Sequence, residues 1–546
     1  MKIIYILFFA IIALNLQAQV KHDVFMLILS DKDDSPYSVF HPQEFLSMNA
    51  LERRTVQNIS IDERDLPVNP EYIARIESLG AKVIHRSKWL NAVSVLINDS
   101  SIIEKLKDLP FVLDIMALGV NRSPKEAVFQ EHFPYEKYKE GDNYYGATLN
   151  QVAMLAGHVL HSMGHEGQGK KVAIFDGGFS SVYRMPAFDS LYANNRILGT
   201  RDFVEGDEFV YEASSHGTQV LSCMAANLPY LVMGTAPGAS YYLFKTEDVG
   251  SEFKIEEFNW VAAAEYADSL GIDVINSSLG YTTFNDETMN YSYEDLNGKT
   301  GICSRGADIA VEKGMLVVNS AGNEGDGSWK YIGTPADGIN VISVGAVKSN
   351  GSRASFSSYG PTPDGRIKPN VSAQGSRAIV AGMKGYAVTS TDGTSFSSPI
   401  MAGMVTTLWS AFPNKTNWEI KDAIEASGNQ STKPDSSLGF GIPDFFRAYV
   451  YLMEAGMAIS GTGDVFSNSA LIHDEMKIMV ETEKAAMITY TLYNKMDEVV
   501  YSNILRSGPF EVKSLEIPNL KYLAPDFYYL KIAVGLNTYY SKFIKG

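Results

Sequence analysis

The segment Gly393-Thr394-Ser395-Phe396-Ser397-Ser398-Pro399 sets a serine between a glycine turn and the apolar run Ile400 to Trp409. Residues of these types start a helix. Glycine permits a sharp entry, and a proline in the first turn loses nothing, because its missing N–H had no partner there. The helix start also offers unsatisfied N–H groups to a developing oxyanion. Alone, the motif is equally a Ser/Thr helix cap without chemistry, so its meaning depends on what lies upstream.

Three further groups do. Lys171 to Phe175 reads as a short apolar strand ending in Asp176-Gly177-Gly178. Ser214-Ser215-His216-Gly217-Thr218 opens a helix-like segment, Gln219 to Asn227. Val317-Val318-Asn319-Ser320 ends in the small-residue turn Ala321-Gly322-Asn323-Glu324-Gly325. Taken singly, each has a plainer reading: a strand-end turn for Asp176, a helix-start histidine for His216, a left-handed turn residue for Asn323. Together they give the order Asp, His, Asn, Ser, with each residue after an apolar strand or at a helix start, where open α/β sheets build their sites.

These motifs, with Asn276-Ser277-Ser278-Leu279-Gly280 as a fifth, resemble the subtilisin-like serine peptidases over roughly residues 145 to 455. The resemblance implies an α/β fold with a parallel sheet and helices on both faces. It implies Ser395 as nucleophile, His216 as general base, Asp176 as its orienter and Asn323 as an oxyanion donor. Ser278, Leu279 and Gly280, with Ala321 and Gly322, are implied to line the substrate groove. Gly177 departs from the pattern, since the family usually has Ser or Thr there, and removes one hydroxyl beside Asp176.

The residue types suit acyl transfer. A serine hydroxyl is a weak nucleophile until a base takes its proton. Imidazole titrates near neutrality, and a carboxylate on its other nitrogen fixes the tautomer and stabilises the imidazolium. An amide beside the nucleophile can donate to the tetrahedral oxyanion. A secreted endopeptidase acting through a Ser395 acyl-enzyme is the leading expectation. The alternative is an inactive subtilisin-like descendant that binds peptide in the same groove, which Gly177 permits. An α/β-hydrolase esterase is disfavoured, because no Gly-x-Ser-x-Gly elbow occurs.

The elements that must position these groups belong to a long chain of 546 residues, 45% hydrophobic and 20% charged, with room for several domains. Residues 1–18 carry the apolar stretch Ile3 to Leu14 and Leu16-Gln17-Ala18, a signal-peptide pattern that predicts export. The next stretch, 19–122, mixes strands and helices as a small α+β unit, and by position it resembles an inhibitory propeptide. A polar linker is expected over 123–144 and the catalytic unit over 145–456. A second linker is expected over 457–474. Alternating segments in 475–546 predict a small β-sandwich. Tyr490-Thr491-Leu492-Tyr493, Tyr528-Tyr529-Leu530-Lys531-Ile532 and Lys542-Phe543-Ile544-Lys545 resemble the C-terminal sorting domains of the type IX secretion system of Bacteroidetes.

A net charge of −17 argues against nucleic-acid partners and anionic membranes. Polypeptide substrates, a monomeric state and the type IX machinery are the expected partners. No segment after the leader is apolar enough to span a bilayer. Cys223 and Cys303 lack metal-ligand spacing and read as free thiols, although export would permit a disulfide. No cofactor is expected. The insertion Phe284 to Gly301, with Asp286, Glu287, Glu294, Asp295 and Asn297, offers oxygen ligands for a structural Ca²⁺ but no regular ligand spacing.

Overall fold

The computed structural model describes residues 22–120, 143–383, 388–453, 456–459, 465–467, 471–472 and 476–545. The leader expected over 1–18 and most of the linker expected over 123–144 lie outside these residues.

Seven parallel strands form the central sheet in the order Val371–Gln374, Ile342–Val347, Leu316–Ser320, Val274–Ser277, Lys171–Asp176, Ser240–Lys245, Ile197–Asp202. Their unbroken apolar character follows from burial on both faces. Along the first of them in the chain, Val172 and Ile174 enter the core beneath helices His216–Ala225 and Thr394–Ala411. Ala173 and Phe175 enter the opposite core, beneath helices Ile255–Leu270 and Ile302–Glu312. Two strands join this sheet that hydropathy alone does not mark. Ile197–Asp202 is a half-exposed edge, and Val371–Gln374 carries Ser372 and Gln374 among its buried residues.

The order of the strands places the site. After Lys171–Asp176 the chain lays its next two strands to one side, then crosses back to place Val274–Ser277 on the other. At such a switch point the connections diverge and leave a crevice at the carboxyl ends of the strands. Asp176 and Ser278 stand at those adjacent ends.

The N-terminal unit is a four-stranded antiparallel sheet ordered Lys82–Ser87, Ala92–Leu96, Val24–Leu29, Val112–Gly119. Alternation in its first strand gives it two working faces. Leu27 and Leu29 pack under its own helices Pro70–Ser78 and Ile102–Lys107, whereas Val24 and Met26 join the core of Phe258 and Trp260 on the neighbouring unit. At its far end the molecule carries two further sheets, one of four strands centred on Gly456–Ile459 and Lys477–Thr482, the other of five including Ala486–Asn494 and Phe527–Val534. Within the segment expected as a linker, Gly456–Ile459, Val465–Ser467 and Leu471–Ile472 are strands of these sheets.

A buried ionic network joins the N-terminal unit to helix Ile255–Leu270. Asp268, fully buried, accepts Arg53 at 2.5 Å, Arg54 at 2.9 Å and Lys88 at 3.0 Å. The three cations hold its carboxyl far below the usual range, although burial acts in the opposite direction. Removing one partner of a buried pair strands the remaining charges, so Asp268→Ala should destabilise the full chain by about 3–5 kcal/mol. Urea unfolding is the check, and a loss below about 1 kcal/mol, the range of surface pairs, would show that the network does not hold the seam.

Candidate active site

Asp176 closes strand Lys171–Asp176 and is 1% exposed. A carboxylate so buried needs donors. It has Gly177 N–H at 2.8 Å and His216 Nδ1 at 2.8 and 3.0 Å from its two oxygens. Close approach of strand end and helix start requires glycine on both sides. A Cβ on Gly178, whose φ is +144°, would lie 2.1 Å from Glu212 O, and one on Gly217 would lie 2.5 Å from Gly178 O.

His216 is the first residue of its helix. Its backbone N–H bonds Ser214 Oγ, and Thr218 Oγ1 ties the next turn to Ser180 O at 2.7 Å. The imidazole is 35% exposed, and its ring stands 5.7 Å from that of Phe396. Desolvation lowers its pKa, but the charge of Asp176 and the hydrogen bond to it prevail, and the value is raised above the ordinary 6.5.

Ser395 is the second residue of helix Thr394–Ala411. Pro399 lies in the second turn of this helix rather than in the first, as the sequence had suggested, and its missing N–H would have bonded Ser395 O. Ser278 Oγ takes that place, donating to Ser395 O at 2.9 Å, and Ser395 Oγ donates in return to Ser278 O at 3.3 Å. Among the described residues, no hydrogen bond joins Ser395 Oγ to His216 Nε2. Such bonds are commonly long or absent until substrate arrives.

Asn323 is exposed, and Gly322 beside it, not Asn323, takes the left-handed φ of +111°. Asn323 Oδ1 accepts Thr394 N–H at 2.8 Å and Thr394 Oγ1 at 3.0 Å, while Thr394 Oγ1 accepts Gly322 N–H at 3.1 Å. Its oxygen is thereby committed to the helix that carries Ser395. Thr394 is a residue that motif reading quoted but gave no role. Ser278, Leu279 and Gly280 run beside Ala321 and Gly322, since Leu279 O accepts Asn319 Nδ2 at 3.0 Å. All nine residues singled out from sequence therefore gather at one edge of the sheet.

Other chemistry-bearing groups are placed as follows. In the insertion, Asp286 and Asp295 accept from nearby backbone N–H groups, and Asn297 caps a turn. Glu247, Glu252 and Glu256 bring three carboxylates within 4.8 Å of one another, an arrangement that matches the oxygen chemistry of a hard cation. Burial raises all three, Glu247 to about 8 and Glu252 to about 7, which favours shared protons. Cys223 and Cys303 are free and buried.

Comparison with known proteins identifies the family. The subtilase family model matches residues 167–441, and the model described as "Peptidase S8 propeptide domain, Bacteroidota" matches residues 24–131. Subtilisin NAT of Bacillus subtilis subsp. natto is 31% identical over 357 residues, which cover 64% of this chain and 79% of that one. Subtilisin of Bacillus pumilus is 34% identical over 281 residues, 50% of this chain and 90% of that one. Among solved structures, the MycP3 protease from the type VII (ESX-3) secretion system superposes with a TM-score of 0.44 at 19% identity, over 60% of this chain and 97% of that one. The chain belongs to the subtilase family. It is a serine-type endopeptidase whose N-terminal unit is a propeptide domain.

The Asp176–His216 pair makes a titration testable in Ser395→Ala protein. The His216 imidazole should titrate above 6.5 by NMR and drop below 6.5 when Asp176→Asn is added, because desolvation then acts alone. The sign for stability follows: the pair contributes fully below the unfolded histidine pKa and fades as pH rises through the higher folded value. A resonance at or below 6.5 in the Asp176 parent would show that the pair is not formed.

Proposed function

We propose that this protein is an exported endopeptidase in which Ser395 Oγ attacks the scissile carbonyl carbon while His216 Nε2 takes its proton. The tetrahedral oxyanion lies between Asn323 Nδ2 and the Ser395 backbone N–H. Collapse expels the amine, which receives the proton from His216, and leaves an acyl-enzyme on Ser395. Water then enters by the reverse sequence. Asp176 holds His216 Nδ1–H throughout and stabilises the imidazolium. The observation that carries this reading is the convergence of three tethers: Asp176 on His216, Ser278 on Ser395, and Thr394 on Asn323.

Substrate is polypeptide, paired by its backbone along Ser278-Leu279-Gly280 with Ala321 and Gly322 opposite. The propeptide domain covers the cleft until processing. Its last described residue, Val120, lines one cavity together with Asp248, Ser251 and Glu256 of the catalytic unit. Export through the leader at 1–18, recognition of the C-terminal sheets by the type IX machinery, and action as a monomer without a cofactor complete the proposal. Ca²⁺, if present, would serve structure and not chemistry. Among the described residues no helix is long and apolar enough to cross a membrane.

The test uses the processed protein, casein and a serine-directed fluorophosphonate. Labelling and casein cleavage should both occur and both vanish in Ser395→Ala; an unmutated protein that does neither ends the enzymatic reading of this site. Asn323→Ala should keep its labelling yet lose roughly 100- to 1000-fold in turnover, the loss known for one oxyanion donor in a subtilisin. Unchanged turnover would remove Asn323 from the mechanism.

A further inference from the structure

The proposed chemistry leaves unused a carboxyl buried beneath the groove. Glu247 lies just past strand Ser240–Lys245, the neighbour of the Asp176 strand. Its Oε1 accepts the Tyr281 hydroxyl at 2.5 Å and Thr246 Oγ1 at 3.1 Å. Tyr281, 1% exposed, directly follows Ser278-Leu279-Gly280. Both ends of this contact are fixed. On one side, Thr246 N–H bonds Asp176 O at 3.0 Å, and Glu247 Cβ lies 3.7 Å from where a Cβ on Gly177 would stand. On the other, Tyr281 and Thr334 exchange backbone hydrogen bonds of 2.9 and 3.2 Å.

The position of this contact matters because the backbone ladder has already ended. The last rung between the Asp176 strand and the Ser278 strand is Phe175 with Ser277. Beyond it, side chains must hold the wall carrying Ser278 against the Asp176 strand end.

We propose that the Glu247–Tyr281 hydrogen bond is a strut that holds the Ser278-Leu279-Gly280 wall of the groove at a set distance from the Asp176 strand end, making both residues positioning residues for extended peptide substrates. The proposal rests on the reading of Ser278-Leu279-Gly280 as a groove wall. Burial, with Glu252 and Asp176 nearby, pushes the Glu247 carboxyl up to about 8 despite the opposing Tyr281 bond, and Tyr281 is held as a neutral phenol. Glutamine in place of Glu247 preserves its shape and its acceptor oxygen.

The experiment compares two substrates on the processed enzyme. One is a peptide with four residues before the cleaved bond; the other is p-nitrophenyl acetate, an activated ester that acylates Ser395 without occupying the groove. Glu247→Ala and Tyr281→Phe should each raise the peptide KM about tenfold, the effect of losing one buried hydrogen bond, and weaken ester hydrolysis at least fivefold less. Glu247→Gln at pH 7 should restore the peptide KM to near its native value. Tyr281→Phe removes only a hydroxyl, so a folded variant is available even if Glu247→Ala fails to fold. Unchanged peptide KM in Tyr281→Phe, or equal losses on both substrates, overturns the strut. A native enzyme that the fluorophosphonate does not label overturns the catalytic reading itself, and the strut with it.

Discussion

A carboxylate inside a protein must be paired, and this molecule is arranged around satisfying several. Asp176 is the central case: it ends a strand buried on both faces, and among the described residues its donors are the next backbone N–H and the His216 imidazole. The remaining site geometry follows from that demand. His216 must start its helix at that spot, Gly178 and Gly217 must lack side chains to let it, and helix Thr394–Ala411 must pack on the same sheet edge to bring Ser395 alongside. A pair deeper in the protein would be locked, and one farther out would lose its field to water. With Asp176 buried and His216 about a third exposed, the imidazole is oriented yet still reached by solvent.

The same rule explains why the propeptide domain adheres. Glu265 accepts Ser87 Oγ at 2.5 Å, Lys88 N–H at 2.8 Å and Trp89 N–H at 3.0 Å, all from the propeptide, while Asp268 is neutralised by its arginines. Each half of this seam leaves unsatisfied charge in the other when it departs. The unprocessed chain is therefore held by penalties for separation as much as by apolar burial of Val24, Met26 and Trp89. Docking at the C-terminal end is of a different kind. There Met479 inserts into the main core, and His158 meets Glu481 at 3.0 Å.

Much of this was legible in the sequence because the decisive residues lie in local motifs. Asp176 is readable as the end of an apolar strand, His216 and Ser395 as helix starts next to glycine, and Asn323 as a turn amide. The buried strands announced themselves as unbroken apolar runs. What stayed hidden depends on pairs distant in the chain. Glu247 and Tyr281 are 34 residues apart, and neither sits in a motif. The tie from Thr394 to Asn323 spans 71 residues. Ile197–Asp202 escaped because an edge strand exposed on one side carries too little apolar pattern to distinguish it from a loop.

Pro399 shows how a misplaced residue can matter more than a well-placed one. In a first turn it would have been neutral. In the second turn it deprives Ser395 O of its helical donor. An unsatisfied carbonyl at the helix start would favour fraying. Ser278 Oγ fills the vacancy and thereby fastens Ser395 to the segment that follows strand Val274–Ser277, a link that an uninterrupted helix would not have needed. The local defect thus becomes a tertiary tether. Ser278 consequently does two things at once: its hydroxyl positions Ser395, and its carbonyl holds the Ser395 hydroxyl in the resting enzyme.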